Sequence, residues 1–230
     1  MSEQDRIALK AKELAAQQMH KRFLLEKEMK RRNYRQQNAY VQKGRTLFTG
    51  SSLMEQFPIA EFCANEGLPI VYNRGIGGYT TDEFLAAVDD VLLDVQPAKV
   101  FINIGTNDIC ARPDGEDWFD HLCANERKIC QILCDRLPGA EVYLMAYYPV
   151  NGDVPAAKAN PGMLVRTNGN IARANDMLRQ LAGEFGFHYI DVNDGLKDAA
   201  GNLQEEHTPD GIHFDAAAYR TVFERLKQYL

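Results

Sequence analysis

The chain of 230 residues has no apolar run of bilayer-spanning length. Its first residues, Met1-Ser2-Glu3-Gln4-Asp5-Arg6, hold no apolar core of the kind a signal peptide carries. The expectation is a protein that neither spans a membrane nor is secreted. Cysteine is scarce as well. The five present are an odd number without a Cys-x-x-Cys pair, so they do not read as a disulfide framework and point to a reducing compartment, the cytoplasm. Proline and glycine are missing from residues 3–43 altogether. Free of those helix breakers, and rich in Ala, Leu, Lys, Glu, Gln and Arg, that stretch predicts one long helix ahead of the rest.

Charge is unevenly spread. Residues 1–45 hold 12 Lys and Arg against 5 Asp and Glu, a balance of +7 in a chain whose net charge is −6; the remainder holds 14 against 27. A basic arm on an acidic body can touch nucleic acid or anionic lipid, or it can lie against its own body or a sister subunit. Ala8, Ala11, Ala15, Met19 and Phe23 recur at spacings of three and four, as on one helix face that wants an apolar partner. Packing, with homo-oligomerisation through the N-terminal helix as one form of it, is the expectation. Nucleic acid is not an expected partner. The predicted division is a basic helical extension at 1–45 and a single domain at 46–230, long enough to bury one sizeable core.

Beyond residue 45, strand-like and helix-like segments alternate. The strand candidates are 46–48, 70–72, 99–104, 141–147 and 188–192; helical periodicity marks 80–95, 118–136, 168–185 and 216–230. Alternation of this kind implies right-handed crossovers and a mainly parallel five-stranded sheet covered on both faces, an α/β three-layer α/β/α sandwich. Ligands of such sheets bind beyond the carboxyl ends of the strands. Ser52, Gly78 and Asn107 each follow one of the first three strand candidates, so positions far apart in sequence are expected to converge on one rim.

Four short segments carry the residue types that acyl transfer needs: Thr49-Gly50-Ser51-Ser52-Leu53, Asn73-Arg74-Gly75-Ile76-Gly77-Gly78, Gly105-Thr106-Asn107-Asp108 and Asp210-Gly211-Ile212-His213. Together they offer a nucleophile, an oxyanion hole, a base and an orienter. Serine is a weak nucleophile at its free pKa and needs a base in hydrogen-bond reach. Asp210 lies three residues before His213, close enough in sequence for one turn of chain to set carboxylate beside imidazole. Taken singly, each segment has a plainer use: Asp-x-x-His as a capping turn, Ser52 as a helix N-cap, Asn107 as a turn residue, the glycines as a flexible loop. Dinucleotide binding is disfavoured, because Gly75-Ile76-Gly77-Gly78-Tyr79-Thr80 lacks the third glycine of that fingerprint.

Taken together and in this order, the segments resemble the SGNH (GDSL-type) esterases and lipases, over roughly residues 46–230. The pattern Asn73 to Thr81 is similar to that of the intracellular branch containing platelet-activating-factor acetylhydrolase-like proteins, with Tyr79 where that branch has Asp. The resemblance implies a flavodoxin-like fold and a serine esterase using Ser52, Asp210 and His213. It also implies oxyanion donors at the backbone N–H of Ser52, the backbone N–H of Gly78 and the side-chain amide of Asn107, with Asn73 bracing the loop. It implies no cofactor and no metal. Ser51 stands where the family usually has Asp, which predicts altered bracing of the loop without loss of activity.

His121, Cys123, Cys130 and Cys134 share one helical segment, where buried free cysteine is commoner than a metal site. His207 is close enough to Asp210 to line the site. Residues 147–163, broken by Pro149, Gly152, Pro155, Pro161 and Gly162, form either part of a substrate wall or a solvated connection. The expected substrate is a small-molecule or lipid ester, with a short acyl or acetyl group favoured over a lysophospholipid-type ester. A non-catalytic binding protein on the same fold is the alternative, since function follows the site and not the fold. A histidine base predicts that activity falls below about pH 6.

Overall fold

The computed structural model describes residues 3–230; Met1 and Ser2, the head of the basic extension, lie outside the described residues. Five strands, β1 (Thr46–Gly50), β2 (Val71–Asn73), β3 (Lys99–Asn103), β4 (Glu141–Met145) and β5 (His188–Ile190), form one parallel sheet in the order β2-β1-β3-β4-β5. The strand order reverses beside β1, and the crevice at that switch point, at the carboxyl ends of β1 and β3, is where such sheets bind ligands.

The helices are α1 (Glu3–Gln37), α2 (Ser52–Glu55), α3 (Ile59–Asn65), α4 (Thr81–Ala86), α5 (Val88–Val91), α6 (Trp118–Arg136), α7 (Pro155–Lys158), α8 (Asn168–Phe185) and α9 (Ala216–Leu226). Strand side chains alternate between two cores. Leu47, Val100, Ile102, Val142 and Leu144 share a core with α6 and α8 residues such as Ile129, Leu133 and Leu178. Phe48, Phe101, Tyr143 and Met145 face α3 and α9 through Ile59, Cys63, Val222 and Phe223. Phe48, Phe101, Tyr143 and His188 are register partners on successive strands, and their rings stack with centroids 4.7, 4.6 and 4.7 Å apart. This ladder ties four strands of the sheet side to side.

The predicted helices at 118–136 and 168–185 have those bounds; both carry a local start signal and α8 a local stop signal. Asp117 accepts from the N–H groups of Phe119 and Asp120, Thr167 accepts from Asn170, and Gly186 ends α8 in the left-handed region at φ 70°. The predicted helix at 80–95 is instead broken into α4, α5 and a 3-10 turn at Leu93–Val95, with non-helical backbone at Ala87 and Leu92. Asp90, between the breaks, is drawn to Arg31 and Arg35 of α1, each at 2.7 Å.

The long predicted helix runs to Gln37, short of residue 43, and continues as a 3-10 turn at Asn38–Tyr40. Its docked face differs from the expected one. Ala8, Ala11, Ala15 and Met19 are exposed, as is every residue from 3 to 26. The residues that meet the body are Phe23, Lys27, Lys30, Arg31, Tyr34, Arg35 and Asn38. Polar pairing with the acidic body, and not the small-residue stripe, seats α1.

Candidate active site

β1 ends at Gly50, whose φ of 148° and closeness to β3 admit only glycine: a Cβ there would lie 1.9 Å from the Asn103 carbonyl oxygen. The chain turns at Ser51, which donates its N–H to Asn103 O at 3.2 Å and accepts from Met54 and Glu55 N–H at 3.1 and 2.9 Å. The Ser51 side chain makes no cap bond. Ser51 thus braces the turn through its backbone alone. Ser52 is thereby placed as the first residue of α2, with its N–H bound to no acceptor among the described residues.

The loop before α9 brings up the second part. Gly211 has φ 83°, and a Cβ on it would fall 2.1 Å from Asn151 O. This tight turn folds Asp210 back over its successors. Its Oδ1 accepts the N–H groups of Ile212 and His213 at 3.0 and 2.8 Å, and its Oδ2 lies 2.6 Å from His213 Nδ1. His213 Nε2 is 2.9 Å from Ser52 Oγ, across 161 residues of sequence. Burial pushes the Asp210 carboxyl up, but the bonds from the His213 side chain and from the two amides outweigh it and leave the group below its ordinary value. An ionised Asp210 holds a proton on Nδ1, so Nε2 stays bare and can accept one from the serine.

The third part is the loop after β2. Asn73 donates to Met54 O at 2.5 Å and accepts from Gly75 N–H at 2.9 Å, bracing the loop against α2. Arg74 and Ile76 donate to Phe48 O and Gly50 O, Gly77 to Glu55 Oε2, Tyr79 to Ile76 O, Thr80 to Glu83, and Thr81 to Asp108. Among the described residues, Gly78 carries the one amide from Arg74 to Thr81 that has no acceptor.

The fourth part is the 3-10 turn Thr106–Asp108 after β3. Asn107 Nδ2 donates to Tyr79 O at 3.0 Å, which uses one of its two hydrogens and sets the amide beside the Gly78 loop. Arg166 fixes which way that amide points, with Nη2 3.4 Å from Asn107 Oδ1 and Nε donating to Thr106 O at 2.9 Å. Asp108 links the two loops, accepting from Thr81 N–H at 3.0 Å and Thr81 Oγ1 at 2.5 Å. Burial pushes the Asp108 carboxyl up and the Arg166 guanidinium down.

All six residues singled out in the sequence, Ser52, Asn73, Gly78, Asn107, Asp210 and His213, thus lie on this one rim. His207 does not join them, since its Nδ1 faces Asp215, the N-cap of α9, at 3.5 Å. Residues 147–163 do border the site, with Asn151 N–H donating to Gly211 O at 2.8 Å and an open apolar hollow beyond, lined by Ala157, Pro161, Met163 and Leu164. His121 is bridged between Glu116 and Asp82, each at 2.9 Å, and the five cysteines are free. Among the described residues no group of three His, Cys, Asp or Glu is placed to hold a metal ion, and no helix is long and apolar enough to cross a membrane. The supports at Glu55, Asp108 and Arg166 were not identified from sequence. Asp108 sits inside a quoted motif, but its partner Thr81 is 27 residues away.

Comparison with known proteins gives the family and the fold. Residues 51–221 match the GDSL-like lipase/acylhydrolase family. A protein of known structure from Streptococcus pneumonia, named a "putative platelet activating factor", is 31% identical, covers 94% of this chain and 98% of its own, and superposes with a TM-score of 0.83. A GDSL-like lipase from Bacteroides thetaiotaomicron shares the fold at 20% identity, covering 86% of this chain and 96% of its own with a TM-score of 0.70. An N-acylneuraminate cytidylyltransferase from Escherichia coli O18:K1:H7 is 32% identical over 156 residues, 67% of this chain but 33% of that protein. The chain therefore spans about a third of the length of that curated relative. With its family match covering most of its length, the chain belongs to the GDSL-like lipase/acylhydrolase family.

Proposed function

We propose that the protein hydrolyses a carboxylic ester through an acyl-Ser52 intermediate. The observation that carries this reading is the line Asp210 Oδ2, His213 Nδ1, His213 Nε2, Ser52 Oγ, with contacts of 2.6 and 2.9 Å. In acylation, Ser52 Oγ bonds to the ester carbonyl carbon as its proton passes to His213 Nε2. The carbonyl oxygen becomes an oxyanion, for which the uncommitted N–H groups of Ser52 and Gly78 and the second hydrogen of Asn107 Nδ2 are the donors, each typically worth about 3 kcal/mol of barrier. Collapse breaks the bond to the leaving alcohol, which takes the proton back from His213. Water then repeats the sequence on the acyl-enzyme, with His213 again as base, and releases the acid and free Ser52. The triad and the donors are all supplied by this chain's own residues.

A short acyl or acetyl group is the favoured acid part, with a lysophospholipid-type ester second. The hollow lined by Ala157, Pro161, Met163 and Leu164 is open, which supports a small acyl group over an enclosed long chain. Hydrolysis of p-nitrophenyl esters from acetate to long acyl chains, by the wild type beside Ser52→Ala at matched concentration, tests both statements. Turnover that declines with chain length and vanishes in the variant is expected. Equal background rates in the two proteins would reject the acyl-Ser52 reading in favour of a binding protein.

A further inference from the structure

α1 holds the loop that carries Gly78. Three of its residues reach residues 75–78. Tyr34 donates its hydroxyl to Gly75 O at 2.9 Å. Lys30 pairs with Glu55 Oε1 at 2.5 Å, while Glu55 Oε2 accepts Gly77 N–H at 2.5 Å. Lys27 Nζ donates to Gly78 O at 2.9 Å. Positions 27, 30 and 34 are three and four apart, so they share one helix face.

Lys27 is the one buried residue of α1. Its ammonium also meets both Glu83 oxygens at 2.7 and 2.8 Å, and Glu83 in turn accepts Thr80 N–H at 3.0 Å. The Phe23 ring, one turn earlier, fills the space beside Gly78, where a Cβ would fall 2.3 Å from its Cζ. Lys27 Nζ stands 4.6 Å from the centre of that ring and 5.5 Å from that of Tyr79.

These contacts matter because Gly78 has φ 71° and no side chain to restrain it. A donor that must wait for an oxyanion works best when it is already aimed, since no reorganisation is then charged to the transition state. α1 fixes the peptide after Gly78 directly, at Gly78 O, and the Ile76–Gly77 peptide one step before it through Glu55, at Gly77 N–H. Among the described residues, the Gly78 N–H is the one amide of residues 74–81 left open.

We propose that α1 belongs to the reaction centre, with Lys27 and Tyr34 as positioning residues that fix the Gly78 N–H for the oxyanion. This rests on the ester hydrolysis proposed above. Neither side chain touches the reacting atoms; both act through the loop.

The test uses the full chain with Lys27→Met, Tyr34→Phe and the double variant, with Ser52→Ala as the blank. For each, kcat and KM on p-nitrophenyl acetate are measured beside the inhibition constant of benzeneboronic acid, a tetrahedral adduct former on serine. Positioning predicts that kcat falls roughly tenfold to a hundredfold, less than outright loss of a donor, with KM little changed. Boronate binding should weaken by the same factor across the series. Arg35→Ala, which loosens α1 at Asp90 and not at the loop, should lower Tm and leave kcat in place. If Lys27→Met and Tyr34→Phe keep wild-type kcat and boronate affinity while Tm drops, or if Arg35→Ala loses as much activity as they do, the positioning role is overturned and the contacts are merely structural. If wild type is no faster than Ser52→Ala, the esterase reading itself falls and takes this role with it.

Discussion

Asp210→Asn should be far more damaging than its near-identical shape suggests. Oδ1 of Asp210 is held by two backbone N–H groups, from Ile212 and His213, whereas Oδ2 faces His213 Nδ1 alone. In the variant the amide oxygen stays with the two N–H donors, because turning it over forfeits both bonds, about 1 kcal/mol each. A preference of about 2 kcal/mol leaves roughly one molecule in 30 with the oxygen toward the imidazole. In the rest an NH2 faces Nδ1, the ring carries its proton on Nε2, and Ser52 has no base. Loss of the carboxylate charge beside the forming imidazolium costs about 2 kcal/mol more, discounted for a side chain that is more than a third exposed. The two effects multiply to roughly a thousandfold loss of kcat. Asp210→Ala sheds the charge without forcing the tautomer, so Asn should be no more active than Ala. Steady-state hydrolysis of p-nitrophenyl acetate by both variants decides it. An Asn variant that keeps a tenth of wild-type kcat, or clearly outperforms Ala, would refute the tautomer argument.

Asn107→Ala should lower kcat by roughly 100- to 1,000-fold, the usual effect of removing one oxyanion donor, and a rate within tenfold of wild type would remove Asn107 from that role. Gly78→Ala places a side chain at φ 71° and against Phe23; the left-handed backbone alone costs about 1–2 kcal/mol, which a thermal melt should register as a Tm lower by several degrees, and an unchanged Tm would contradict it. Glu126 is fully buried, and that burial, opposed by the bond from Tyr147 and aided by Asp108, pushes its pKa up to about 8. Because the folded state then keeps a proton that the unfolded chain has released, the stability this group contributes is complete below its unfolded pKa and is lost as pH rises toward 8. Glu126→Gln cannot titrate, so its Tm relative to wild type should climb between pH 5 and pH 8.5; a constant difference would show that Glu126 does not hold its proton.

The legible parts of this molecule were those set by local sequence. α6 and α8 could be bounded to the residue because Asp117, Thr167 and Gly186 mark their ends within the chain itself. Ser52, Gly78 and Asn107 could be placed on one rim because each follows a strand, and the parallel sheet then brings the strand ends together. What could not be read depends on partners distant in sequence. The break at Ala87 and Leu92 flanks an Asp90 pulled toward Arg31 and Arg35, 59 and 55 residues away. The seat of α1 on the body was not legible for the same reason: the apolar spacing from Ala8 to Phe23 is visible in sequence, while the acceptors of Lys27, Lys30 and Tyr34 lie in α2, in α4 and in the loop after β2. Arg166 also escaped notice, as its acceptors lie 59 and 60 residues away.

The undocked half of α1 changes how the molecule moves through water. Residues 3–22 are exposed and precede the first contact with the body, at Phe23, a rod of about 30 Å at 1.5 Å per residue. A globular body of the remaining size has a radius of gyration of only about 16 Å, so the rod is almost twice that radius in length. Drag depends on that outline as much as on mass. A single chain of 26.0 kDa will elute early from a sizing column and tumble about its long axis faster than end over end. Elution volume alone would thus mimic a dimer, and light scattering is the measurement that counts chains.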